Sequence, residues 1–249
     1  MTVPDAGRTV RLIVVSAAIW VLAGAVCIGL DRYGKSARHL GTVQTVGVSG
    51  IEPVLVDTPE NAYRFWREKG FHGRTILYVA SGWERIDPDE FSIEDPRRAY
   101  PLKVYRQADQ IEENFLDART FLYVAAMQGI ARRVIAVVSP AAFDEAKVLA
   151  RRAKNARITA DAVFVTYHGF PRWFTTLAQL PSPDEPVLLF VGASAFRDHG
   201  PDEVLAMLRK KGVRTDAAIL CAMAGDGAVT DKERRDLADF ARLLARGGA

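Results

Sequence analysis

Apolar residues occur along the chain in short runs that alternate with segments of helical periodicity. The central example is the stretch 186–200, PVLLFVGASAFRDHG, in which residues 187–191 are all apolar and small residues follow. A short run that is apolar on both faces is typical of a central strand in a parallel sheet covered by helices. Pro201 and two acids then indicate the start of a helix.

The same alternation continues through the remainder of the chain. It predicts an α/β fold, a three-layer Rossmann-like sandwich with a mainly parallel sheet. Strands are predicted over residues 42–48, 54–56, 75–80, 134–138, 162–167, 187–191 and 217–223, and helices over residues 57–70, 108–128, 139–153, 171–180, 201–211 and 230–245. The last helix begins with a capping box, Thr230 and Glu233.

Residues 12–30, LIVVSAAIWVLAGAVCIGL, form an apolar stretch without a charged residue. About 20 such residues cross a bilayer as a helix. A cleavable signal peptide is the alternative, because residues 23–25 match the small-residue cleavage pattern. The apolar run continues beyond that point, so we expect one uncleaved transmembrane helix before the α/β domain.

Five segments follow from these patterns. They are an N-terminal flank (1–11), a transmembrane anchor (12–30), a juxtamembrane linker (31–41), an α/β domain (42–249) and, inside that domain, an insertion or lid (82–106). The insertion is expected because it separates a strand from its helix by far more residues than such connections usually contain. It follows a strand and so belongs to the carboxyl edge of the sheet.

Basic residues flank the apolar stretch on both sides, which leaves the charge bias across it nearly balanced. We expect the common orientation of a single-pass membrane protein, with the N-terminus inside and the globular domain outside the cytoplasm. Membrane lipid is thus an expected partner through residues 12–30. The flanking bases are Arg8 and Arg11 on one side and Arg32, Lys35 and Arg38 on the other.

The composition, 49% hydrophobic with a net charge of +3, is that of a folded domain and does not call for a nucleic-acid partner. The sequence has neither a dinucleotide fingerprint nor a Walker A motif, so no cofactor is predicted. Cys27 and Cys221 are not expected to pair. The basic cluster Arg209-Lys210-Lys211 with Arg214 suits a solvated helix end or weak attraction to anionic lipid.

Polar side chains follow two of the predicted strands. Ser194, Asp198 and His199 follow the strand at 187–191, and His168 ends the strand at 162–167. Open α/β sheets bind ligands at the carboxyl ends of their strands. These four residues are therefore the candidate catalytic residues.

Two of these strands, VFVTYHG and LLFVGAS, resemble the histidine strand and the nucleophile strand of caspase-like and legumain-like cysteine peptidases. The resemblance implies that His168 is the base and that Ser194 occupies the position of the cysteine. It covers two strands, and 25 residues separate His168 from Ser194, fewer than such enzymes usually have. A serine nucleophile also requires more help from its base than a thiol does.

Other chemistries use the same residues. Ser194 could attack with His168 or His199 as base and Asp198 or Asp226 as the orienting carboxylate. A divalent metal could bind His168, Asp198, His199 and Asp226, although no ligand spacing supports such a site, and no metal is predicted. We favour a membrane-anchored, non-catalytic binding or assembly module with an unknown protein partner or small ligand; the alternative is a membrane-tethered hydrolase that uses His168 and Ser194.

Overall fold

The computed structural model describes residues 42–82, 112, 116–153, 156–167, 170–223 and 228–247, all within the compact unit Ala37–Ala249. The predicted anchor at 12–30, its flanks at 1–11 and 31–41, and residues 83–106 of the predicted insertion lie outside the described residues. Among the residues that are described, no helix is both long enough and apolar enough to cross a bilayer.

The described elements alternate between strand and helix along most of the chain. The strands are β1 (Gln44–Thr45), β2 (Val54–Val56), β3 (Arg74–Val79), β4 (Ala131–Val137), β5 (Ala156–Ile158), β6 (Val163–Tyr167), β7 (Phe170–Thr175), β8 (Val187–Gly192) and β9 (Arg214–Cys221). The helices are α1 (Pro59–Glu68), α2 (Phe121–Met127), α3 (Pro140–Ala150), α4 (Pro201–Lys210) and α5 (Asp231–Arg246), with a short 3-10 helix, Ala193–Phe196, after β8.

The strands form one sheet in the order β1-β9-β8-β3-β4-β7-β6-β5, and β2 also pairs with β9. The neighbours from β2 through β9, β8, β3 and β4 to β7 are parallel. Antiparallel pairs join β1 to β9 at one end and β7 to β6 to β5 at the other. The predicted α/β class with a mainly parallel sheet is therefore confirmed.

Helices pack on both faces of the sheet, and β8 shows why its residues are all apolar. Leu188 and Phe190 belong to the core shared with α1, α2 and α3. Leu189 and Val191 alternate with them and belong to the core shared with α4 and α5. All four side chains are fully buried. Strand residues point alternately to opposite faces, so a strand covered on both sides must be apolar throughout.

The helix predicted over residues 171–180 is wrong, because the chain there forms strand β7. Trp173 and Phe174 point to opposite faces of the sheet, where each packs against a different core. Aromatic residues favour this pleated, half-buried environment. Trp173 also contacts Phe164 of β6 edge to face. The guanidinium of Arg133 lies over the Trp173 ring.

The continuous helix predicted over residues 108–128 is also wrong, because residues 116–120 are not helical. The backbone N–H groups of Arg119 and Thr120 donate to Asp117 Oδ1, at 2.7 and 2.9 Å. The Thr120 hydroxyl in turn accepts the Asp117 N–H at 3.0 Å. Short polar side chains compete in this way with helical hydrogen bonds. The helix α2 begins only at Phe121.

A buried ion pair joins the first residue of β3 to β9 at the amino edge of the sheet. Arg74 Nη1 and Nη2 donate to the two carboxylate oxygens of Asp216, at 2.9 and 2.6 Å. The side chains are 1% and 0% exposed. Arg74 Nη2 also lies 3.4 Å from the carbonyl oxygen of Pro186, just before β8. This bidentate pair therefore spans three neighbouring strands.

Candidate functional site

An open crevice of about 720 Å³ lies at the carboxyl edge of the sheet. It is lined by residues that follow three strands: 81–82 after β3, 139–142 after β4, and 197–199 after β8. The β4 connection leads to α3 on one face of the sheet, whereas the β8 connection leads to α4 on the other. Because the chain leaves these strands toward opposite faces, a depression remains between the connections.

Ser81 links the three strand ends around the crevice. Its backbone N–H donates to Ser194 Oγ at 3.1 Å, and its carbonyl oxygen accepts the Ser139 N–H at 2.9 Å. Its hydroxyl accepts a hydrogen bond from Arg197 Nη1 at 3.2 Å. The walls of the crevice are therefore held together by direct hydrogen bonds between loops that are far apart in sequence.

Arg197 connects the crevice to the start of α5 through Glu233. Arg197 Nε donates to Glu233 Oε1 at 2.9 Å, while the Thr230 N–H donates to Glu233 Oε2 at 2.6 Å. Burial disfavours the Glu233 carboxylate, but the hydrogen bonds from Thr230 and Arg197 outweigh it and lower its pKa. The predicted capping box of Thr230 and Glu233 is confirmed, and it also fixes the Arg197 guanidinium beside the crevice.

Ser194 lies behind the wall of the crevice and does not line it. Its side chain is fully buried in the 3-10 helix, and its hydroxyl oxygen accepts the Ser81 N–H. A nucleophilic hydroxyl must reach the substrate and donate its proton to a base. In this structure the Ser194 hydroxyl joins the segment after β8 to the segment after β3.

Asp198 and His199 both line the crevice. His199 Nδ1 lies 2.9 Å from Glu203 Oε1 in the first turn of α4, while Asp198 is exposed. Within the described part of the chain, no hydrogen bond joins either residue to Ser194. The structure thus brings Asp198 and His199 to one cavity but does not connect them with Ser194 as a catalytic unit.

His168 and Asp226 lie outside the described residues, so their predicted roles stay predictions. The strand before His168 runs in an unexpected direction, since β6 is antiparallel to β7 and Tyr167 pairs with Phe170. The carboxyl end of β6 is therefore at the amino edge of the parallel strands. Ser194 follows β8 at the opposite edge. The expectation that both strands end at one edge is wrong.

The chemistry of the described side chains offers neither a reactive thiol nor a metal centre. Burial raises the pKa of the Cys221 thiol to about 12, so the thiol is protonated at neutral pH. No cluster of three or more His, Cys, Asp or Glu side chains suited to a metal ion occurs within the ranges described.

Arg197 is a residue of this site that the sequence pattern does not single out. Arg197 precedes Asp198 and carries no motif, so only the pairing of its guanidinium with Glu233 and Ser81 marks it. Glu233 was visible, but only as the second member of a helix cap. A contact between Arg197 and a residue 36 positions later has no local signal.

Comparison of the chain with protein-family models, with curated proteins and with solved structures finds no significant match. The geometry of the carboxyl edge is therefore the basis for a functional proposal.

Proposed function

We propose that residues 42–247 form a non-catalytic binding module, tethered to a membrane by residues 12–30, which binds a small polar ligand in the crevice beside Arg197. The observation that carries this proposal is the state of Ser194. Its hydroxyl is buried and engaged by the Ser81 N–H, while the cavity in front of the same loops is open and lined by other groups.

The proposal includes a fold assignment, a three-layer Rossmann-like sandwich. Within the described residues, the parallel strands lie in the order β7-β4-β3-β8-β9-β2. The five that follow β2 in the chain have the order of a doubly wound sheet, which reverses between β3 and β8, and this supports the assignment. The strand β2 is an addition beside β9. The crevice next to that reversal is the position at which such sheets bind ligands.

The lining of the crevice supports a ligand with both donor and acceptor groups. Arg197 and the hydroxyl of Ser139 provide hydrogen-bond donors, and Asp198 and Glu145 provide carboxylates. The volume lies within the range of small-molecule sites, roughly 300–1,000 Å³. A ligand that carries opposite charges, such as an amino acid, would satisfy both sides of this lining.

The site is tested by filling it. Ala141 is exposed in the first turn of α3 and lines the crevice. Val148 lies two turns farther along the same helix and is 48% exposed. We expect Ala141→Trp to abolish binding of a mixture of amino acids and small carboxylic acids, monitored by saturation-transfer NMR. The matched variant Val148→Trp adds the same side chain away from the crevice and should bind as the native chain does.

Equal binding by the native chain and both tryptophan variants would contradict the crevice as the site. A serine-directed fluorophosphonate separates the hydrolase alternative. We expect no labelling of the native chain at Ser194, because the hydroxyl is not accessible. Labelling that disappears in Ser194→Ala would instead establish a nucleophilic serine and refute a non-catalytic role.

A further inference from the structure

Five basic side chains lie at the ends of elements that meet the loop of residues 46–51. Arg209, Lys210 and Lys211 end α4, Arg214 begins β9, and Arg246 ends α5. We call these five residues the basic patch. Arg209, Lys210, Arg214 and Arg246 are exposed, and Lys211 is half-buried.

The loop of residues 46–51 brings the basic patch together. Thr45 pairs with Arg214, and the backbone of Gly47 packs against the side chain of Arg209. A Cβ at Gly47, whose φ is +73°, would lie 3.1 Å from the Cβ of Arg209. Farther along the loop, the Ile51 N–H donates to the Leu244 carbonyl at 2.8 Å, close to the end of α5.

The charges of the patch are largely available for an external partner. Among the described residues, no carboxylate forms an ion pair with Arg209, Lys210, Lys211 or Arg246. Asp202 shares a surface depression with Arg209 and Lys210, and Asp202, Asp236 and Asp239 share another with Arg246 without an ion pair to it. The dipole of α4 explains bases at its end, but it does not explain why β9 and α5 add theirs at the same place.

Two apolar side chains accompany the bases. Val48, at the tip of the loop, is 54% exposed, and Val43 is 37% exposed. A bilayer surface has phosphate groups on the outside and acyl chains below them. Lysines and arginines bind the phosphate groups, and valines that protrude among them reach the acyl boundary.

The sequence before residue 42 indicates that the partner of the basic patch is a lipid bilayer. Residues 12–30 are apolar, and the intervening residues 31–41 include the additional bases Arg32, Lys35 and Arg38. Eleven residues reach at most about 40 Å when fully extended. A domain held within that distance of a bilayer meets lipid at a high effective concentration, so that weak contacts suffice.

We propose that the basic patch, with Val43 and Val48, docks the domain on the headgroups of anionic phospholipids. This inference rests on the proposed membrane tether and is independent of the ligand in the crevice. Docking would orient the domain with the amino edge of its sheet toward the bilayer. The crevice, at the carboxyl edge, would then face away from the membrane and stay open to solution.

The test uses the full chain with Cys27→Ser and Ser49→Cys, labelled at residue 49 with an environment-sensitive fluorophore. Cys221 is buried, so the label should react at residue 49. The protein is reconstituted into vesicles of phosphatidylcholine, with or without phosphatidylglycerol, and quenching by a lipid-borne quencher reports docking. We expect strong quenching only with phosphatidylglycerol, and a decrease as salt is raised.

Replacing bases of the basic patch by neutral residues measures how much each base contributes to docking. Each base near an anionic surface contributes about fivefold to the docking equilibrium, so Lys210→Gln with Lys211→Gln should weaken docking about 30-fold. Arg246→Gln, on a different helix, should weaken it about fivefold. The matched control is Arg234→Gln with Arg235→Gln, which removes two exposed charges at the opposite end of α5 and should leave docking unchanged.

Flotation with neutral vesicles tests the membrane tether separately from the docking of the domain on lipid headgroups. Protein that does not float with phosphatidylcholine vesicles has no tether, and the docking inference falls with it. Protein that floats but shows equal quenching in neutral and anionic vesicles overturns docking alone. An equal loss in the patch variant and in the control variant would also overturn it, because net charge rather than the patch would then be responsible.

Discussion

The buried pair of Arg74 and Asp216 offers the sharpest test of how the sheet is stabilised. Asp216→Ala removes the carboxylate that accepts two hydrogen bonds from Arg74 at 2.9 and 2.6 Å. The Arg74 side chain is 1% exposed, so its charge would remain buried without that carboxylate. Breaking a buried pair in this way typically costs about 3–5 kcal/mol.

That loss is a large fraction of the roughly 5–15 kcal/mol by which domains are stable. With a urea slope of about 2 kcal/mol per molar, it should lower the unfolding midpoint by about 2 M. The assay is urea unfolding of the full chain in mild detergent, monitored by tryptophan fluorescence. Trp66, on the buried face of α1, is fully buried and reports the transition.

Two further variants show whether burial is the cause. Asp184 pairs with Arg133 but its side chain is 78% exposed, so Asp184→Ala should cost at most about 1 kcal/mol. Replacing both buried partners, Arg74→Met with Asp216→Leu, should restore stability to within about 1 kcal/mol, since no unpaired charge remains. If Asp216→Ala lowered stability by no more than Asp184→Ala does, the argument from desolvation would be refuted.

Two other predictions concern the core and the crevice frame. Leu189→Ala, at a fully buried position in β8, should cost about 2–5 kcal/mol in the same urea assay, and a loss under about 1 kcal/mol would mean that β8 is not central. Glu233 has a pKa below its ordinary 4.5, so its contribution is present above that pH and disappears as the pH falls through the lower folded pKa. Glu233→Gln should therefore cost about 1–2 kcal/mol at neutral pH and progressively less below pH 4.5, whereas a pH-independent difference would exclude the carboxylate as the cause.

Some elements of this fold are determined by a local pattern of residues. The run at residues 187–191 predicted a strand covered on both faces, and β8 has cores on both sides. Thr230 and Glu233 are predicted to form a capping box, and the Thr230 hydroxyl accepts the Glu233 N–H as expected. These features depend on residues three or four positions apart, which the sequence displays directly.

The predictions were wrong where contacts with distant residues determine the local conformation. Residues 171–175 have no strong helical or strand periodicity alone, and their pairing with β6 and β4 makes them a strand. The same pairing reverses the direction of β6 and removes it from the edge that carries Ser194. Strand direction follows from which strands are neighbours, and a single sequence does not state that.

The candidate site also combines features that the sequence determined with features that only the tertiary structure decided. The sequence by itself determined which polar residues follow β8, because Ser194, Asp198 and His199 come directly after an apolar strand. Only the tertiary structure decided where their side chains lie: Ser194 is buried against Ser81, whereas Asp198 and His199 line the crevice. Burial and hydrogen bonding depend on loops more than 100 residues apart coming together, as Ser81 and Ser194 do. A sequence pattern records the local period of a chain, but the free energy of such long-range contacts arises only when the sheet assembles.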